Sequence, residues 1–170
     1  MNLNLIAYPG PAATVLEENI EQRIQVPHVP LKFNTETEDV TKVAVIDNPI
    51  DAVSKVLSEG ASMQLFIDVY NTTLEEAKES IAIYKAEDVI NNTQSVIMHL
   101  FKTLNLDEDN YKLKTGRESL LDDVANSQAW FYQYSISEDY AANVEKTKEF
   151  NLEKSWELYN SLLEKTISFD

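Results

Sequence analysis

Towards the end of the chain, apolar side chains recur at Leu152, Trp156, Tyr159, Leu163 and Ile167, a 4-3-4-4 spacing that lines one face of an α-helix. The spacing predicts a helical element over about 138–167, with Tyr140 and Val144 in its first part and Leu152, Trp156, Tyr159 and Leu163 as its buried face. A second stripe joins Ile83, Ile90, Ile97 and Leu104, seven residues apart, and is widened by Ala77, Ile81, Tyr84, Leu100 and Phe101. It predicts a long helix over 72–105, started by Thr72 or Thr73, with Glu75 and Glu76 where the helix dipole favours acids. Asn91-Asn92-Thr93 weakens its middle, and a kink or break is expected there.

Shorter signals lie between these. Asn48-Pro49 reads as an N-cap followed by a first-turn proline, and Ile50, Val53, Val56 and Leu57 continue at helical spacing until Gly60. Leu31-Lys32-Phe33 and Val40 to Ile46 are β-prone runs on either side of the acidic turn Thr35 to Asp39, and predict a hairpin. The run Met63 to Tyr70 fits a strand or a buried helix, and is read as a strand. After the acidic connector 105–110, a short strand is expected at Tyr111 to Thr115. A helix over 117–134 then ends in the aromatic cluster Trp130 to Tyr134.

Four of the five prolines, Pro9, Pro11, Pro27 and Pro30, fall in the first 30 residues. Proline fixes φ, removes an N–H and biases the preceding residue towards extended geometry. Residues 1–30 therefore read as an extended N-terminal arm carrying one short helix from about Ala12 to Ile24, and 31–170 as a single domain. The expected class is α+β, predominantly helical, with a small β component near residues 31–46 and at 63–70.

Charge sharpens the contrast. The chain carries 29 acidic and 14 basic side chains, a net of −15, yet residues 1–35 hold a net of only −1. Such a balance disfavours direct nucleic-acid binding, which needs clustered Lys and Arg, and disfavours an anionic membrane surface. No apolar run approaches the ~20 residues of a membrane span. The apolar start has no Lys or Arg before Arg23 and is broken by Pro9-Gly10-Pro11, unlike a signal peptide. The expected location is intracellular, in the cytoplasm or within an assembled particle.

Few residues are arranged for chemistry. There is no cysteine, which removes disulfides, thiolate zinc sites and a cysteine nucleophile. Three glycines cannot build a Gly-rich phosphate loop. His28 and His99 are each preceded three positions earlier by a non-acid, Gln25 and Val96, so neither forms a Glu-x-x-His metal pair. His99 reads as a satisfied structural histidine. Asp107, Asp109 and Glu118 occupy the first, third and twelfth places of a calcium loop, but Tyr111 and Lys112 stand where an oxygen ligand and glycine are needed. Asp122-Asp123 and Glu138-Asp139 read as solvated helix faces. No cofactor, metal or catalytic residue is expected.

The sequence thus suggests a non-enzymatic structural or assembly subunit, such as a component of a virus or phage particle. It would be an oligomer, or part of a multi-protein complex of like or unlike chains. The expected docking residues are Leu5, Ile6, Tyr8, Pro9, Pro11, Val26, Pro27, His28 and Pro30 of the arm. The alternative is an acidic regulator or nucleic-acid mimic that occupies a basic site on another protein.

Overall fold

The computed structural model describes residues 2–23, 28–29, 40–57, 60–106 and 138–169. The strands are β1 (Asn2–Ala7), β2 (His28–Val29), β3 (Val40–Ile46) and β4 (Ala82–Lys85). The helices are α1 (Pro11–Arg23), α2 (Pro49–Val56), α3 (Met63–Ala77), α4 (Ala86–Asn91), α5 (Thr93–Thr103), α6 (Glu138–Thr147) and α7 (Glu153–Leu163). Helix predominates over a small sheet, the expected class. No helix among the described residues is long and apolar enough to cross a membrane.

The sheet has the order β2-β1-β3-β4 with every pair parallel. β1 is therefore central, not an arm. Its full length pairs with β3, from Asn2 opposite Val40 to Ala7 opposite Val45. Leu3 and Leu5 are buried on one face of the sheet and Ile6 on the other. A strand covered on both faces excludes charge, and β1, Asn-Leu-Asn-Leu-Ile-Ala, carries none even though it keeps Asn4 buried. This accounts for the low charge of the first residues, which the arm reading assigns to a docking segment. The prolines do not interrupt β1. They begin at Pro9, after the strand has ended, and Pro11 takes the first position of α1, where a missing N–H costs nothing.

Two hydrophobic layers sandwich the sheet. On one side α1, α4 and α5 contribute Leu16, Ile20, Val89, Ile97 and Leu100 against Leu5, Val43 and Tyr84. On the other, α2, α3 and α7 contribute Val53, Ile67, Leu74 and Leu162 against Ile6, Ala44 and Ile83. After α7 the chain passes the outer side of β4. Ile167 donates its N–H to the Ile83 carbonyl (3.1 Å). Phe169 stacks on Tyr84 with ring centroids 6.0 Å apart, joining the layer opposite the one α7 packs in.

Several expectations change. Val40 to Ile46 is a strand, but it pairs in parallel with β1 and β4 rather than in a hairpin; residues 31–39 lie outside the described ones. Residues 63–70 are helical. Ser62 caps α3 by accepting from Leu65 N (3.3 Å), and Met63, Ile67, Tyr70 and Leu74 are buried at helical spacing. The long helix over 72–105 is four elements: the end of α3, then β4, α4 and α5. Its heptad residues are all buried, but Ile83 faces the α2–α3 layer from a strand while Ile90, Ile97 and Leu104 face the other. The expected break at Asn92 is present, at φ −126° and ψ 35°. The single element expected over 138–167 is two helices, α6 and α7, separated by residues 148–152, and α7 ends at Leu163, so Leu152 and Ile167 lie outside it; its buried side is Ser155, Leu158 and Leu162, with Trp156, Tyr159 and Leu163 half-buried beside it. The connector from 107, the strand at 111–115, the helix over 117–134, the aromatic cluster and the calcium-loop residues lie outside the described residues.

Candidate functional site

The connections dictate where a cleft opens. From β1 the chain leaves over the α1 face towards β2, and from β3 over the α2–α3 face towards β4. Neighbouring strands whose connections depart in opposite directions leave a gap at their carboxyl ends, the place where open parallel sheets bind ligands. Here that gap is a shallow, solvent-open cleft.

Each wall follows from a local rule. After β1, Tyr8-Pro9-Gly10-Pro11 turns the chain into α1, bringing Ala12 and Ala13 to the cleft. The first helical bond runs from Thr14 N to Gly10 O (3.2 Å), and Pro11 has no N–H. The N–H groups of Ala12 and Ala13 therefore have no acceptor earlier in the helix. Helix α1 has no acid in its first turn. From β3 come Val45 and Asp47, from α2 Ala52 and Lys55, and from the start of α4 Ala86.

Asp47 and Lys55 are the charged residues of the cleft. Lys55 Nζ donates to Asp47 Oδ2 at 2.9 Å; the lysine side chain is 3% exposed and the aspartate 25%. Asp47 Oδ1 accepts from Asn48 N at 2.9 Å. Burial pushes the Asp47 carboxyl above its ordinary range, outweighing the pull of the Lys55 ammonium and the Asn48 N–H. Asn48 also caps α2 through Asp51 N (2.9 Å) and donates to the Asp51 carboxylate (2.6 Å). The Tyr140 hydroxyl donates to the same carboxylate. Behind the cleft, Tyr70 donates to the Asp47 carbonyl (2.6 Å) and meets the Tyr8 ring edge-on, centroids 5.6 Å apart. Burial, reinforced by Asp47, raises the Tyr70 hydroxyl well above its usual range.

The expected docking residues divide three ways. Tyr8, Pro9 and Pro11 line the cleft. Leu5 and Ile6 face the protein's own core, and His28 pairs along the backbone with Leu3. Val26, Pro27 and Pro30 lie outside the described residues. Sequence reasoning did not single out Asp47 or Lys55. The available signal was an acid directly after an apolar strand and before an Asn-Pro helix start. His99 has a structural bond, as expected: its Nδ1 lies 2.9 Å from the Tyr84 hydroxyl.

Compared with known proteins, the chain matches no family model, no curated protein and no solved structure. What the cleft can do follows from its own chemistry. Among the described residues no group of three or more acids and histidines is placed to hold a metal ion.

Proposed function

We propose that this protein is a non-enzymatic binding subunit, which holds a small molecule in the cleft between β1 and β3 and works within a larger protein complex. The observation that carries the reading is the cleft itself, open to solvent at the fork of the sheet, with a nearly buried lysine paired to a carboxylate on its wall. Binding is favoured over turnover because Asp47 and Lys55 neutralise each other and both Asp47 oxygens already accept N–H groups. The remaining walls are mainly small apolar side chains, which shape a ligand without reacting with it.

Membership of a complex has a separate support. Leu65 and Val69, one turn apart on α3, are 59% and 38% exposed. Neighbouring exposed apolar side chains on a strongly acidic body mark a candidate protein contact. The net charge of −15 adds that basic surfaces are the complementary ones. The docking arm has no place in this reading, since residues 2–23 build the sheet and α1.

Native mass spectrometry tests both parts. Protein isolated at low salt should carry a small-molecule adduct and be found in a complex of defined mass. Gly10→Phe places a ring at the cleft mouth, where an added Cβ meets no atom within 4 Å. That variant should melt like the natural protein and lose the adduct. An adduct that persists in Gly10→Phe would remove the cleft as the site. A ligand returned chemically altered would make the protein an enzyme, and a monomer in native extract would end the assembly part.

A further inference from the structure

The outer edge of β4 is covered, but by a segment that is lightly held. We propose that this edge is a strand-addition site, closed within the chain by residues 164–169, and that an extended apolar segment of a partner protein takes their place on it. The site is separate from the cleft and from the exposed face of α3.

The seat is rigid. β4 stands at the end of the sheet, with β3 as its strand neighbour on one side. A strand in that position offers backbone groups to an extended chain that comes alongside. Ile83 and Tyr84 are buried, one in each hydrophobic layer. Tyr84 is fixed from behind by α5: its hydroxyl lies 2.9 Å from His99 Nδ1, and the two rings meet edge-on with centroids 5.7 Å apart. Thr103 Oγ1 lies 3.3 Å from the same nitrogen. Side chains already held in place lose little freedom when something docks on them.

The cover shows what fits. Ile167 donates its N–H to the Ile83 carbonyl (3.1 Å), while Phe169 stacks on Tyr84 and meets His99 edge-on, with centroids 6.0 Å apart in both cases. These are the contacts of strand addition, a main-chain bond to the edge with side chains two positions apart against the neighbouring surface. Yet none of residues 164–169 is itself buried, and no helix or strand runs through them. A segment with so little burial opens at a small fraction of the cost of global unfolding. Opening turns the ring of Tyr84 towards water, and the partner that covers it again is defined by what the segment presents: an extended chain with an aliphatic side chain followed two positions later by an aromatic one. Ile81, directly before β4, is 52% exposed. A partner strand that runs the length of β4 covers Ile81 as well, an apolar contact that residues 164–169 do not provide. The net charge of −15 favours lysine or arginine on the flanks of such a strand.

A fluorescent peptide of residues 164–169 tests the site in trans by polarisation. It should bind the natural chain weakly, and the full chain carrying Ile167→Ala and Phe169→Ala about tenfold more tightly, because a competing cover lowers the apparent affinity by the fraction of time the site is closed. The Phe169→Ala form of the peptide should not bind. Lengthening the peptide at both ends with Val-Lys-Val should tighten binding, and Ile81→Asp in the chain should remove that gain. Equal affinity for the two chains, no saturable binding to the double variant with its melt intact, or a gain that survives Ile81→Asp would each overturn the proposal. Hydrogen exchange on the natural chain checks the cover without any substitution. The Ile167 amide should exchange much faster than the amides of β3; exchange as slow as theirs would make residues 164–169 a fixed part of the fold and end the proposal.

Discussion

At the scale of single residues, what holds the cleft in shape is a set of polar contacts that no hydrophobic pattern announces. Tyr70 is fully buried, and its hydroxyl meets the carbonyl of Asp47 at 2.6 Å. Tyr70→Phe strands that carbonyl and should cost about 1–2 kcal/mol in a urea melt. The same variant has a pH signature. A phenol whose folded pKa is raised stabilises the fold fully below the unfolded value of about 10, and that stability is lost as pH rises above it. Tyr70 and Tyr84 are both raised, chiefly by burial. The natural protein should therefore lose stability steeply above pH 10, and Tyr70→Phe should flatten that limb; an unchanged slope would place the ring outside the core. Tyr8, Pro9 and Pro11 were legible as unusual residues but assigned to an arm. Asp47 and Lys55 were not legible at all, because an eight-residue separation on paper says nothing of a 2.9 Å contact made when a strand turns into a helix.

At the scale of elements, patterns of length and cap were readable and patterns of partner were not. The Asn48-Pro49 start of α2, the span of α1 and the break at Asn92 all follow from local rules that act within a few residues. The strand β4 was absorbed into a helix because Ile83, Ile90, Ile97 and Leu104 keep a seven-residue interval across three elements. Regular spacing of buried residues is a property of the core they share, not only of one helix. In α7 the large aromatic residues suggested the wrong inner face. Leu162, fully buried, should cost about 2–5 kcal/mol when changed to Ala, whereas half-buried Trp156 should cost roughly 1 kcal/mol. Equal losses would mean that α7 is rotated from the orientation described. Helix α6 is docked by polar rather than apolar contacts: Asn143 Nδ2 donates to the carbonyls of Ser54 (2.9 Å) and Leu57 (3.1 Å), at the end of α2. Asn143→Ala should cost about 1–3 kcal/mol, because two buried acceptors lose their donor. A loss no larger than that of an exposed α6 substitution would count against the contact.

At the scale of the whole molecule, the decisive fact is that the first residues of the described chain form the middle of the sheet. An apolar, uncharged, proline-flanked segment has two physical explanations, a surface awaiting a partner or a strand buried on both faces, and the sequence pattern is the same for each. Deletion of residues 1–23 separates them. Removing β1 takes away the partner of both β2 and β3, so the shortened chain should show no cooperative melt by near-ultraviolet circular dichroism. Retention of a native-like melt would restore the arm.

The central place of β1 also governs how the fold is reached. Asn2 pairs with Val40 and Val43 with Ala82, so almost 40 residues must be looped before each strand finds its neighbour. Asp51 and Ser54 wait longer still, for Tyr140 and Asn143, each 89 positions away. Helix content alone would suggest microsecond folding, but closure of such long loops is entropically costly before any contact repays it. Stopped-flow refolding should accordingly run on the scale of milliseconds to seconds. During that interval the apolar strands Asn2–Ala7 and Val40–Ile46 stand unpaired, which makes the nascent chain, rather than the finished protein, the state most prone to aggregate.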